Sequence, residues 1–286
     1  MKRSRIVVCL AVVVLALATS ASADTIRGIN MDFVTIGNAG NAGDTSGNAN
    51  PYGCGAVSSN YRIGKYEVTA TQWQTINTAA GIGDIGIWSG NQPVSDISWY
   101  EVAQFCNYLT SGNKYSGAYQ FDINGNFLSI DRVSSISTYG TTYVIPTEDE
   151  WYKAAYFKPN ASGYSLYANG TSTAPIAGVN SKYNNPIGAP WNVGTGTQEQ
   201  NGTFDMMGNV WEWNETPVSD SARVLRGGTY YGDAITLSSS YRFSYAVNGE
   251  GFDFGFRVAS VPEPATVLLM SLGGLALLKR RAADKC

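Results

Sequence analysis

The nine residues from Asp205 to Trp213, Asp-Met-Met-Gly-Asn-Val-Trp-Glu-Trp, constrain this chain more than any other stretch. Gly208-Asn209 is a turn signal, because both residue types tolerate the left-handed backbone that tight turns require. Two tryptophans follow and bracket one carboxylate, Glu212. Tryptophan carries a large apolar area that is unfavourable to leave in water, so the segment is expected inside. A carboxylate taken inside with it needs a cation or hydrogen-bond donors, or it stays protonated. Asp205, seven positions before Glu212, supplies a second carboxylate across the turn. The stretch reads as the centre of the fold and as a hard-cation site.

The two ends of the chain read as addresses rather than as parts of that fold. Lys2, Arg3 and Arg5 precede an apolar run from Ile6 to Ala18, and Ala21-Ser22-Ala23 follows. This is a secretory signal peptide over residues 1–23 with cleavage after Ala23; a membrane anchor fits less well, because the run is short and ends in a small-x-small site. At the other end, Val261-Pro262-Glu263-Pro264 opens an apolar run to Leu278 that Lys279, Arg280 and Arg281 stop. That run makes roughly 21 Å of helix, against a hydrocarbon core about 30 Å thick. It is a marginal span whose basic end would stay cytoplasmic. Residues 261–286 resemble the PEP-CTERM sorting signal in the motif, the short apolar helix and the basic terminus. The resemblance implies an exosortase-type sorting protease as partner, transient membrane anchoring through the C-terminal segment, removal of the tail, and display at the outer surface or release. A plain tail anchor is the alternative.

Residues 24–260 remain, enough for one large domain with a substantial core. Their abundance of Gly, Asn, Ser, Thr and Tyr, with only 14% charged residues in the chain, suits a loop-rich secreted domain. The net charge is −3 and no basic run interrupts the domain, so nucleic acid is not an expected partner. The chain contains no histidine. That excludes histidine general acid–base catalysis, Ser-His-Asp triads and histidine-ligated zinc. Of the cysteines, only Cys54 and Cys106 fall inside the domain. They either pair in an oxidising compartment or stay buried thiols; the apolar helical pattern around Cys106 favours the second.

Along the chain, Ile26 to Ile36 reads as a strand with Phe33, Val34 and Ile36 inward, and Tyr61 to Val68 as another. Asn38 to Ser59 reads as a surface loop. Three capping boxes then recur, Thr69 with Gln72, Ser98 with Glu101 and Thr147 with Glu150, predicting helices over 70–79, 99–110 and 148–157. Glu101, Glu148 and Glu150 are acids, but capping and surface roles explain them better than catalysis. Lys114 to Tyr143 is a hairpin or excursion with Asn124-Gly125 at a turn, and Tyr143 to Ile145 a short strand. Tyr156 to Gln200 shows no sustained period and should be long packed loops; such tracts usually carry function or are held by ions. Gly227-Gly228 marks close backbone approach or a bulge, and late strands are expected over 240–243 and 255–259. Arg226, Arg242 and Arg257 either gather into an anion site or pair with Glu212, Glu148 or Asp149. The planar guanidinium favours the structural role.

Together, Lys65-Tyr66-Glu67-Val68-Thr69, Pro93-Val94 to Trp99, Ile145 to Trp151, Gly208 to Trp213, Arg226-Gly227-Gly228 and Gly255-Phe256-Arg257 resemble the formylglycine-generating enzyme, or sulfatase-modifying factor, domain. The resemblance spans roughly residues 26–260. It implies an α+β fold, a variant of the C-type lectin fold with little regular secondary structure and bound structural calcium. Carried over, one calcium would be held by Asp205, by the carbonyls of Gly208 and Val210, and by Glu212. Carboxylates and carbonyls suit calcium's preference for oxygen.

The family's oxidases hold copper(I) with two cysteines shortly after the Arg-Gly-Gly motif, and soft thiolates are what that metal requires. Gly232 stands at the first of those positions and Leu237 or Ser238 at the second. Copper is therefore not expected. The leading expectation is an exported, surface-displayed, non-catalytic member that binds a glycan or an envelope protein or serves a structural role. The alternative is an active formylglycine-generating oxidase in which Cys54 and Cys106 replace the missing pair. A glycosidase using paired carboxylates needs no histidine, but no spacing here identifies such a pair.

Overall fold

The computed structural model describes residues 22–185 and 187–261. The expected signal peptide lies outside the described residues, apart from Ser22 and Ala23, and so does the apolar C-terminal run. Among the described residues, no helix is long and apolar enough to cross a membrane.

The chain opens with a hairpin rather than one strand. β1 (Ser22–Ile26) turns at Arg27 and Gly28, both with positive φ, into β2 (Ile29–Ile36), and Ile26 faces Ile29. β3 (Tyr61–Gly64) follows the long loop. The predicted strand stops here, four residues early. The amide of Lys65 reaches sideways to the carbonyl of Asp32, and that of Val68 to the carbonyl of Phe256. α1 (Ala70–Ala80) and α2 (Trp99–Ser111) begin at the expected capping boxes and end at the left-handed glycines Gly81 and Gly112. The excursion is a hairpin of β4 (Tyr119–Phe121) and β5 (Phe127–Ile130) plus a helix, α3 (Arg132–Tyr139), capped by Asp131. β6 (Thr142–Val144) leads to α4 (Glu148–Tyr156), whose box is Thr147 with Glu150.

From Phe157 to Val210 no helix or strand forms among the described residues. β7 (Trp211–Ser219) and β8 (Ala222–Arg226) then form an antiparallel pair. A short 3₁₀ turn (Ala234–Leu237), β9 (Phe243–Ala246), β10 (Phe254–Gly255) and β11 (Ala259–Val261) complete the described residues. The last two divide what reads as one strand. At Phe256–Val258 the chain leaves one sheet, where β10 runs parallel to β7, and joins the other, between β3 and β6. The sheets are ordered β1-β2-β3-β11-β6 and β10-β7-β8-β9, with β4-β5 apart.

Two apolar clusters fill the interior. One gathers α1, α2 and the inner faces of both sheets around Trp73, Trp99, Phe105, Trp213 and Phe256. The other gathers α4 and the loops around Tyr61, Trp151, Tyr156 and Met206. Phe33, Val34 and Ile36 are all buried, but on opposite faces of β2: Phe33 enters the first cluster, Val34 and Ile36 the second. The turn at Gly208 and β7 lie between these clusters, and both contribute to them.

Candidate functional site

Trp211 and Trp213 do not bracket Glu212 in space. Successive residues of a strand point to opposite faces, so both rings enter the first cluster while Glu212 faces the second. The ring on Glu212 is Trp151, from α4, whose indole N–H donates to Oε2 at 2.7 Å. Arg257 closes the rest of the carboxylate. Its Nε donates to Oε2 and its Nη2 to Oε1, each at 2.6 Å, and neither residue is exposed. Arg257 also binds the carbonyls of Gly64 and Phe204 at 3.0 Å each, tying β3 and the loop before the turn to β7.

The turn itself is set by left-handed backbone at Asp205, Gly208 and Asn209, with φ of 61°, 84° and 60°. A side chain at 208 could not be accommodated, since a Cβ there would lie 2.2 Å from the carbonyl oxygen of Lys182. Asp205 is buried and its Oδ2 accepts from the amide of Gly194 at 2.6 Å. Two further buried carboxylates join it. Glu67 accepts from the side-chain amide of Asn209 at 2.5 Å and from the amide of Val210 at 3.3 Å. Glu199 accepts from Thr203 Oγ1 at 3.0 Å and the amide of Met206 at 3.2 Å.

This cluster sets four carboxylates, Glu67, Glu199, Asp205 and Glu212, around one guanidinium, Arg257. Burial, reinforced by the charges of Asp205 and Glu212, pushes Glu67 well above the usual carboxylate range. Burial raises Glu199 to about 8 and Asp205 to about 6, against the opposing pull of Arg257. Burial opposes the charge of Arg257 as well, but the adjacent Glu212 outweighs it and holds the guanidinium firmly protonated. The donors are all hard oxygens, and the buried negative charge exceeds what the protein neutralises. Asp205, the carbonyls of Gly208 and Val210, and Glu212 fit a hard cation in donor type and in charge. Glu212 offers it one lone pair on Oε1 beside the Arg257 bond. Among the described residues no group of three or more acidic, cysteine or histidine side chains converges as a metal-ligand set, so backbone carbonyls would have to complete such a site.

Glu67 and Glu199 escaped the reading of the sequence. Glu67 left a signal: from Tyr61 and Ile63 the alternation puts it on the inward phase, where a carboxylate must be held by something. Glu199 left none, because it sits in a loop without periodicity.

The three arginines take the structural roles their chemistry favoured. Arg226 donates to Glu148 from Nε at 2.9 Å and from Nη2 at 2.5 Å. Arg242 binds the same carboxylate from Nε and Nη2 at 2.8–3.1 Å. Arg226 also holds the carbonyls of Asn50, Ser239 and Tyr241 and lies over the Tyr152 ring. Glu101 and Glu150 are the return partners of capping boxes, and Glu150 additionally pairs with Arg132 at 2.9 Å.

Gly227 and Gly228 both have positive φ, and the carbonyl of Gly227 accepts from the amide of Gly208 at 2.8 Å. The close approach expected of this pair is thus an approach to the acidic turn. Beyond it, Gly232 is partly exposed, and a Cβ there would lie 3.1 Å from Thr236 Oγ1 and 3.2 Å from Thr229 Cγ2. Leu237 and Ser238 are both buried. Cys54 lies in the second cluster with Leu237, Cys106 in the first with Trp99, and both are free thiols. Burial pushes both thiols well above their ordinary range, which disfavours the thiolate.

Residues 32–261 match the profile of the Sulfatase-modifying factor enzyme 1-like domain. The chain belongs to that family. Residues 260–282 match the PEP-CTERM protein-sorting motif, which implies exosortase-dependent processing and membrane association. A chaperone protein LppX from Paenibacillus barcinonensis is 27% identical over 227 residues, covering 70% of this chain and 80% of the relative. Among solved structures, Treponema denticola variable protein 1 is similar at a TM-score of 0.65 and 24% identity, covering 86% of this chain and 100% of its own. PvdO from Pseudomonas aeruginosa is similar at 0.59 and 16% identity, covering 85% and 98%. These likenesses establish the fold: the α+β, loop-rich formylglycine-generating-enzyme variant of the C-type lectin fold.

Proposed function

We propose that this family member is an exported, non-catalytic domain displayed at the cell surface, where its scaffold binds a ligand or forms part of the envelope matrix. The observation that carries this reading is the surroundings of Gly232. Where the resemblance puts the first copper-binding cysteine, the chain has a partly exposed glycine with two threonine side chains 3.1–3.2 Å from where a side chain would begin. A thiol there would require its neighbours to yield by some tenths of an ångström. The two thiols the domain does have are buried in different clusters. The sorting motif supports display outside the cell, and a structural role fits a scaffold whose buried ionic groups serve to join loops.

A structural calcium at Asp205, Gly208, Val210 and Glu212 belongs to the same proposal. Bound there, the ion would neutralise charge that Arg257 leaves uncompensated and would hold the turn to β7. Asp205 and Glu212 would bind it as carboxylates, Gly208 and Val210 through carbonyls, while Trp151 and Arg257 orient Glu212.

The deciding assay is copper-dependent oxidation of a Cys-x-Pro-x-Arg peptide by the purified protein. No aldehyde above a copper-only control is expected. Aldehyde formed in proportion to bound copper would overturn the non-catalytic reading and favour the oxidase.

A further inference from the structure

One face of the molecule carries aromatic rings and acids that neither the core nor the acidic cluster uses. Trp88, from the loop after α1, meets Tyr230 edge-on at 6.1 Å and 88°. Tyr230 meets Tyr231 at 5.1 Å and 80°, and Tyr231 lies nearly parallel to Phe252 at 5.6 Å and 26°. The outer rings are open to solvent, Phe252 at 49% and Tyr231 at 38%, and Ile85 and Ile87 beside Trp88 are exposed too.

The Trp88 and Tyr231 side chains and the backbone that carries Phe252 are tied down. The Trp88 indole N–H and the Ser95 hydroxyl both donate to the carbonyl of Phe252, at 3.1 and 2.7 Å. The Tyr231 hydroxyl donates to Asp253 Oδ2 at 2.9 Å. A held, exposed aromatic surface of this kind marks an interaction site more often than it marks chance.

The acids beside it narrow the ligand. Glu250 stands two residues before Phe252, and the amide of Asp96 donates to the carbonyl of Gly251 at 2.8 Å. Partial burial, with the nearby charges of Glu101, Asp96 and Asp84, raises the pKa of Glu250. Glu101 is held by its capping box and Asp253 by Tyr231, but among the described residues none of Asp84, Asp96 and Glu250 is in a salt bridge. A neutral sugar would satisfy the rings and leave these charges unanswered. A bare metal ion would satisfy the charges and leave the rings exposed. A ligand with an apolar face and a cation on the same unit answers both, through ring stacking, cation–π contact and ion pairing.

We infer that the surface formed by Trp88, Tyr231 and Phe252 with the flanking acids Asp96 and Glu250 binds an amine-bearing polysaccharide, pyranose faces on the rings and ammonium groups on the carboxylates. The inference rests on the proposed role as a surface-displayed binding module and names its ligand class. A repeating glycan fits better than a basic peptide because the rings are rigid and flat. They match a stiff pyranose face, whereas a lysine or arginine side chain would have to be immobilised at an entropic cost.

The test is calorimetric titration of the full chain in detergent with three probes: fully deacetylated chito-oligosaccharide, its N-acetylated counterpart, and oligolysine of equal charge. The amine-bearing sugar should bind, and the N-acetylated one about tenfold more weakly. Phe252→Ala and Tyr231→Ala should each weaken binding about tenfold, and Glu250→Gln about threefold with a shallower salt dependence. Tyr231→Phe keeps the ring and should bind nearly as wild type. Unchanged melting temperatures would show that the variants fold. Oligolysine binding as tightly as the sugar would reassign the surface to a basic peptide and overturn the inference. Absent sugar binding, or binding that ignores all the variants, would overturn it too. Neither outcome touches the non-catalytic reading, which fails only on aldehyde formation in the copper assay.

Discussion

Two buried ionic clusters lie on neighbouring strands, and they are built in opposite ways. Around Glu148, two arginines serve one carboxylate, and spare guanidinium N–H groups of Arg226 bind three carbonyls on two separate segments, Asn50 on one and Ser239 and Tyr241 on the other. Around Glu212, one arginine serves four carboxylates. The first cluster is closed by the protein alone. The second carries more negative charge than Arg257 can answer, and burial, with repulsion between the acids added to it, makes three of them hold protons more tightly. Taking charge out of water is strongly unfavourable unless it is paired. The contrast therefore separates a self-sufficient clamp from one that calls for protons or a cation from outside.

The contrast is broken most directly at its only cation. Arg257→Met should destabilise the domain by about 3–5 kcal/mol, because Glu212 is left buried with the Trp151 N–H but no countercharge, beside three other acids. Chemical denaturation at neutral pH measures this. A loss below about 1 kcal/mol would mean that Glu212 is protonated or otherwise neutralised, and the contrast would collapse.

The cation is tested next. Calcium at a hundredfold excess over its dissociation constant should add about 2.7 kcal/mol, seen as a higher melting temperature that EDTA reverses. Asp205→Ala should abolish the response. A melting temperature unchanged by EDTA would count against the calcium assignment.

Protons supply the third test. The carboxyl of Glu199 holds its proton in the folded state up to about pH 8, against an ordinary value of 4.5. Between those limits the folded chain binds a proton that the unfolded chain has released, so stability falls as pH rises through the window. Glu199→Gln keeps an acceptor for Thr203 and Met206 and removes the ionisation. The variant should match wild type near pH 4 and exceed it at pH 9 by about 2 kcal/mol or more. Equal stability at pH 9 would show that the acid is not under the strain its burial implies.

Much of this was legible in the sequence. The helix starts were, because a capping box is a local device: Thr69, Ser98 and Thr147 find their partners three residues on, with no help from the rest of the fold. The arginine pairings were legible in kind, because a buried guanidinium has few chemical options. The neighbours of Glu212 were not. Sequence adjacency suggested Trp211 and Trp213, whereas strand alternation sends those rings away and brings Trp151 across 61 positions of chain. The helix Arg132–Tyr139 was missed because its face is mostly polar and only Ser135 is buried in it. The boundary at Gly64 was missed because alternation continues through Glu67 after the ladder has ended. There the inward phase carries a carboxylate to the acidic cluster instead of a side chain to the core.

The smallest expected effect lies in the self-sufficient clamp, and its smallness is the point. Arg242 is the more exposed of the two arginines on Glu148, with 23% of its side chain accessible against none for Arg226. Removing it leaves Glu148 bonded to Arg226 at 2.9 and 2.5 Å. The carboxylate also stays in the first turn of α4, where the helix dipole favours an anion. Arg242→Ala should therefore cost no more than about 1 kcal/mol. Arg226→Ala would take away the buried partner and the three carbonyl bonds together, and should cost several times as much. If the two variants cost the same, Glu148 depends on both guanidiniums at once. The clamp would then be as finely balanced as the acidic cluster, and the difference between the two regions would lie in net charge alone, not in redundancy.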